Sequence, residues 1–227
     1  MAVNAESSWM FDLVAPDDIL RGCALARLKS SNAAKSEALH WSNSVWARAG
    51  TPAPTEPHLS AEMDQARAEY RWHNERTISG QALKLLEHDN RTREAHAPFA
   101  LLFLRWEADY PNEWCSPGTH MWSPWGLKEV ILRDLAYRGV PPGVRGQATD
   151  LVVAAVRRPY RCKDWMYGQL VRHISDEEFL RRIDALLSVG GHLVSTRARF
   201  ILHIAQHPER TVKRVTWQRW LDSTGLL

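Results

Sequence analysis

Apolar residues recur along most of this chain at intervals of three and four, and no stretch alternates apolar with polar residues over the length of a strand. A rhythm of 3.6 residues builds helix faces, whereas a half-buried sheet needs a period of two. The spacing therefore predicts an all-α fold, either an irregular helical bundle or degenerate stacked helical hairpins of α-solenoid type.

Helix signals divide the N-terminal half. Residues 1–15 read as an irregular lead-in whose Trp9, Met10, Phe11 and Leu13 dock on the body. Pro16-Asp17-Asp18 opens a first helix, because proline suits the first turn and acids suit the positive helix end. A second helix is expected from Asn32 to Ala49. Three prolines between Pro52 and Pro57 then make a stiff connector, either a linker or a join between two helices of one bundle. A third helix starts near Ser60, with Gly80 placed to kink or split it. A fourth, over Pro98–Tyr110, is apolar nearly all round and reads as buried.

After the Trp-rich segment the chain reads as short helices near Leu127–Arg138, Val144–Arg158, Lys163–His173, Asp176–Val189, Thr196–His207 and Val212–Ser223. Ser175-Asp-Glu-Glu178 has the form of a capping box with Ser175 at the N-cap. Gly190-Gly191 is a helix stop, and Thr211 a candidate cap for the last helix. Alternate starts near 127, 163 and 196 fit the period of stacked hairpins, without self-similarity between residues. The expected organisation is a long-helix part over 1–110, a Trp-rich loop over 111–126 and a short-helix part over 127–227, packed with the first as one domain.

Three widely spaced cysteines (Cys23, Cys115, Cys162) form no CxxC pair and no disulfide framework, which suits a reducing compartment. The N-terminus lacks the basic and apolar regions of a signal peptide. The longest apolar run, Ala97–Leu104, falls short of the ~20 residues that a membrane span needs. A cytoplasmic protein without membrane contact is the expectation.

Charge is uneven. Residues 1–150 hold 16 Lys+Arg against 19 Asp+Glu, and residues 151–227 hold 13 against 7. The basic C-terminal part is suited to an acidic partner, unless internal pairs consume it. Arginine outnumbers lysine 23 to 6, which codon usage explains as well as function does, and there are 11 tryptophans. Arginine with tryptophan is the composition of binding hot spots.

Several constellations offer chemistry, each beside a plainer reading. Glu37 and His40 share a helix face as in carboxylate-bridged metal pairs, yet no second E-x-x-H exists. His203 and His207 have metal-ligand spacing, but Pro208 pushes His207 out of helical geometry. Cys115 and His120 could begin a nucleophile pair or a zinc half-site, or be a buried thiol and a hydrogen-bonded imidazole. No metal and no cofactor is expected. Phosphate-loop, dinucleotide and hydrolase-elbow motifs are absent.

These readings favour a non-catalytic binding protein. Its expected contacts are Trp114, Trp122 and Trp125 of the Trp-rich loop, or else those rings form a lid over the core. Arg157, Arg158, Arg161, Arg181, Arg182, Arg197, Arg199, Lys213 and Arg214 are the expected basic surface. An acidic protein partner is preferred over nucleic acid, although the last two helices could mimic a helix-turn-helix. The competing reading is an enzyme of unrecognised type with a pocket under the Trp-rich loop. Its first suspects are His120, Cys115 and Glu113, with Glu107 and Asp109 as further acids.

Overall fold

The computed structural model describes residues 6–189 and 191–224. Among them every regular element is helical and no strand occurs, so the protein is all-α. No helix of the described residues is long and apolar enough to cross a membrane. The chain divides into two compact units, Met1–Pro124 and Trp125–Leu227.

In the first unit, α1 (Asp18–Ala49) is one continuous helix of 32 residues where two were expected. The break expected near Asn32 does not occur because Asn32 is itself buried, its Nδ2 donating to the carbonyl of Thr119 at 2.7 Å. The Asp17 carboxylate caps the start, accepting from the backbone N–H of Ile19 and Leu20. Gly50 ends the helix at φ 69°, a conformation that costs glycine nothing.

The proline connector returns the chain as α2 (Pro57–Asn74), antiparallel to α1. Trp41 Nε1 donates to Glu62 at 3.0 Å, and further down the hairpin the Lys35 ammonium lies 5.7 Å from the Tyr70 ring. Lys35 is buried, and desolvation lowers its pKa.

The third expected helix is split, as Gly80 foreshadowed. The chain turns after Asn74, Thr77 caps α3 (Ile78–Leu83) by accepting from Gly80 N, and a short 3-10 turn follows. A Cβ on Gly80 would stand 1.8 Å from the Asn74 carbonyl oxygen, so only glycine allows this approach. α4 (Asn90–Asp109) starts eight residues earlier than expected, capped by Asp89, and runs through Pro98. Its buried face includes Phe99, Leu101, Leu102, Phe103, Leu104 and Trp106, which makes it the core element that the sequence indicated.

The lead-in forms a 3-10 helix (Ser8–Val14) with Met10 and Leu13 fully buried and Phe11 against Phe99 at 5.3 Å. α5 (Pro111–Trp114) closes the unit. Arg21 ties these parts together. Its guanidinium donates to Glu113 at 2.9 Å, to the Ala15 carbonyl at 2.8 Å and to Asp18 at 2.5 Å, and it stacks 4.1 Å above the Tyr110 ring.

The second unit holds α6 (Pro124–Arg138), α7 (Arg145–Arg157), a 3-10 helix (Asp164–Leu170), α8 (Val171–Ile174), α9 (Glu177–Asp184), α10 (Leu186–Val189), α11 (His192–Gln206) and α12 (Arg214–Thr224). These helices are of unequal length, from 4 residues in α8 and α10 to 15 in α6 and α11. The expected capping box is displaced by one residue: Asp176, not Ser175, is the N-cap and accepts from Phe179 N at 2.8 Å. Carboxylate is the stronger acceptor at a positive helix end, so Asp176 takes the site. Gly190 of the expected stop lies outside the described residues, while Gly191 is the N-cap of α11. Thr211 does not cap α12. The helix closes on Lys213 through Trp217 N, and the Thr211 carbonyl accepts from Thr216 Oγ1.

Two glycines test this account. Gly80→Ala should cost about 1–3 kcal/mol through overpacking. Gly22→Ala, with open space around its Cβ on exposed α1, should add about 0.5–1 kcal/mol. Chemical denaturation followed by circular dichroism reads both, and equal effects would contradict the packing described.

Candidate functional site

The expected site residues scatter and then partly regroup. Trp114 is fully buried, and its carbonyl accepts a 2.8 Å hydrogen bond from His120 Nε2–H. Trp122 is 66% exposed in the first unit, whereas Trp125 is half-buried in the second, 5.4 Å from the Lys128 ammonium. The three rings therefore divide their roles, and only Trp114 belongs to the core.

The enzyme suspects are committed to structure. Glu113 is held by Arg21, and Asp109 pairs with Arg105 at 3.1 Å. Glu107 is buried within α4. Cys115 is exposed, which corrects the expectation of a buried thiol: it follows directly on the last turn of α5, where the chain runs along the surface. His120 sits among Phe103, Trp106 and Trp114, with ring centroids 5.1–5.7 Å away. Burial there lowers its pKa to about 4, offset in part by the hydrogen bond to Trp114.

The other pairs are plain as well. Glu37 and His40 are exposed on α1. His203 and His207 lie with ring centroids 4.6 Å apart, but His203 Nε2 accepts from Arg210, and His207 has left helical geometry ahead of Pro208. Among the described residues no three His, Cys, Asp or Glu side chains converge as metal ligands.

The basic residues give a clearer pattern. The second unit carries 17 Lys+Arg against 10 Asp+Glu, a net of +7. Two arginines of α9 are paired, Arg181 with Glu178 at 2.6 Å and Arg182 with Asp150 at 2.8 Å. Arg157 and Arg199 are exposed. Arg197, Lys213 and Arg214, however, line one cleft of about 590 Å³ within this unit.

Four elements build the cleft. α7 contributes Val152, Ala155 and Val156, and α11 contributes Leu193, Phe200 and Ile201. The 3-10 helix supplies Trp165, Tyr167 and Gly168, preceded by Tyr160, and the segment leading into α12 supplies Val212 with Trp217 beyond it. Phe200 meets Trp217 edge-on at 4.8 Å and Trp220 at 5.3 Å, which anchors α12 on α11. Gln169 Nε2 donates to the Val212 carbonyl at 3.1 Å, and a Cβ on Gly168 would stand 3.2 Å from Val212 Cγ1.

Asp164 organises one wall. Its carboxylate accepts from Lys128 Nζ at 2.7 Å, Arg158 at 2.8 Å and the Arg161 backbone N–H at 2.9 Å. Lys128 is fully buried, so the pair joins α6 to the cleft wall through a charge that is shielded from solvent. Lys163 precedes it at φ 67°, in the left-handed region, and reaches Glu129 at 2.6 Å. Burial and the Asp164 charge together raise the Tyr160 pKa. Arg197 donates to the Arg158 carbonyl at 2.7 Å, at the exposed end of α7. Thus the Arg158 side chain, expected at a binding surface, holds Asp164, to which Arg161 contributes only its backbone N–H, while Lys213 and Arg214 have no acidic partner among the described residues.

Sequence reasoning missed the cleft. Only the competing enzyme reading placed a pocket, beneath residues 111–126, whereas this cleft lies between α7, the 3-10 helix, α11 and α12. Its wall residues look like ordinary helix interiors, and only Tyr160 and Trp165 close to Arg161 and Lys163 could have hinted at it. No protein-family model matches the chain, and neither a curated protein nor a solved structure matches it.

Asp164→Asn should destabilise the protein by about 3–5 kcal/mol, because it leaves the Lys128 charge buried without its counter-ion. Adding Lys128→Met should recover part of that loss in denaturant titrations. A second expectation concerns pH. Since the fold favours neutral His120, stability is fully present above about pH 6.5 and is lost as pH falls toward 4. The contribution is about 3 kcal/mol. His120→Phe should flatten the stability–pH slope over that window, and an unchanged slope would refute the assignment.

Proposed function

We propose that this chain is a non-catalytic binding protein whose second unit engages an acidic protein partner across the rim of the cleft. One observation carries the reading. Tyr160, Trp165 and Leu193, each at least 40% exposed, line the same cleft as Arg197, Lys213 and Arg214. Exposed apolar side chains beside cations that have no acidic partner among the described residues are the surface that a protein hot spot uses: the apolar area gains by leaving water, and the cations offer charge to an acidic partner.

A protein suits this surface better than nucleic acid. Phosphate backbones are held by a long track of cations, and here Arg181 and Arg182 are already paired on α9. The helix-turn-helix resemblance weakens too, because Trp217 and Trp220 of α12 pack on Phe200. Binding is preferred over catalysis because the one carboxylate at the cleft, Asp164, is filled by three donors. The Trp-rich loop contributes less than the sequence suggested, with Trp114 buried.

Titration of a fluorescently labelled acidic peptide containing aromatic residues tests the reading. Lys213→Glu with Arg214→Glu should weaken binding by about tenfold or more. Arg181→Glu, at a site already neutralised, should change it by less than about twofold. Equal losses in both, or tighter binding of an oligonucleotide with a steep salt dependence, would overturn it.

A further inference from the structure

The interior of the cleft is left unassigned by a partner lying across its rim. We propose that this interior is a binding site for a small amphipathic anion, an aliphatic or aryl-alkyl carboxylate whose chain fills the cavity and whose head meets the rim cations. The proposal rests on the reading above, because both use Lys213 and Arg214, and goes beyond it by giving the cavity a ligand of its own.

Size is the first argument. Clefts of about 300–1,000 Å³ are those that enclose small molecules, and this one measures about 590 Å³. Wall chemistry is the second. Its deep side is made by Val152, Val156 and Ile201, all buried and all aliphatic. A peptide segment pushed against that side would bring backbone N–H and C=O groups that find no partners there, at a cost of about 1–3 kcal/mol for each. A hydrocarbon chain brings none and gains from leaving water.

Charge is the third argument. Among the described residues the only acid lining the cleft is Asp164, which is neutralised by Lys128 and Arg158 and so does not repel a second carboxylate. The cations that line the cleft belong to α11 and to the start of α12, while α7 lines it with Val152, Ala155 and Val156. A ligand with one anionic end and one apolar end matches this polarity, and a neutral or cationic amphiphile does not.

Isothermal titration with a series of hexanoate, octanoate, decanoate and dodecanoate, kept below their micelle concentrations, tests the proposal. Affinity should rise about three- to fourfold per added CH₂ and then level off once the cavity is full. Decyltrimethylammonium should bind at least about tenfold more weakly than decanoate. Lys213→Gln with Arg214→Gln, at exposed positions, should weaken decanoate about tenfold while circular dichroism stays unchanged. Ala155→Leu should shorten the chain length at which the gain stops. Absence of saturable binding, or binding that neither variant alters, overturns the proposal. If carboxylates fail while the acidic peptide still binds, only this inference falls. If carboxylates follow the series while the peptide does not bind, the site stands and the partner reading falls.

Discussion

A carboxylate with three donors governs the second unit. Lys128 is fully buried and Asp164 nearly so, and the Asp164 carboxylate is the counter-ion that offsets the cost of the Lys128 charge inside. That pairing fixes α6 against the 3-10 helix, and Arg158 adds the end of α7. Since the same 3-10 helix carries Trp165, Tyr167 and Gly168, the pair also sets where one wall of the cleft stands. The arrangement is sensitive in the way of buried ion pairs: it contributes modestly when whole and is costly when half is removed.

The first unit solves a similar problem with the opposite sign. There a cation, Arg21, gathers Asp18, Glu113 and the Ala15 carbonyl, and lies over Tyr110. A planar guanidinium can serve several acceptors and an aromatic face together, which suits a junction of α1, the lead-in and α5. In each unit one charged residue singled out in the sequence is held in an ion pair that joins elements, Glu113 by Arg21 and Arg158 by Asp164.

How much of this was legible in the sequence depends on the range of the interaction concerned. Helical rhythm, the apolar character of α4, the stop at Gly50 and the departure of His207 before Pro208 are local, and local chemistry announces them. The continuity of α1 was not legible, because the contact that secures Asn32 comes from Thr119, far along the chain. The shift from Ser175 to Asp176 turned on which of two adjacent acceptors meets the helix end. The basic residues were legible as a composition but not as a surface. Separating the paired Arg181 and Arg182 from the unpartnered Lys213 and Arg214 requires knowing which acids face them. The cleft itself was least legible, since an empty space leaves no residue type to mark it.

Close packing at Gly168 has a mechanical consequence. The segment entering α12 lies so near this residue that Val212 would crowd even a single added methyl group, and Gln169 holds the same segment by its carbonyl. Inward travel of that segment would press Val212 onto the Gly168 backbone, while outward travel is resisted by the Gln169 hydrogen bond and by the edge-on contacts of Phe200 with Trp217 and Trp220. Widening the mouth would therefore cost those contacts, whereas narrowing it would drive Val212 against Gly168.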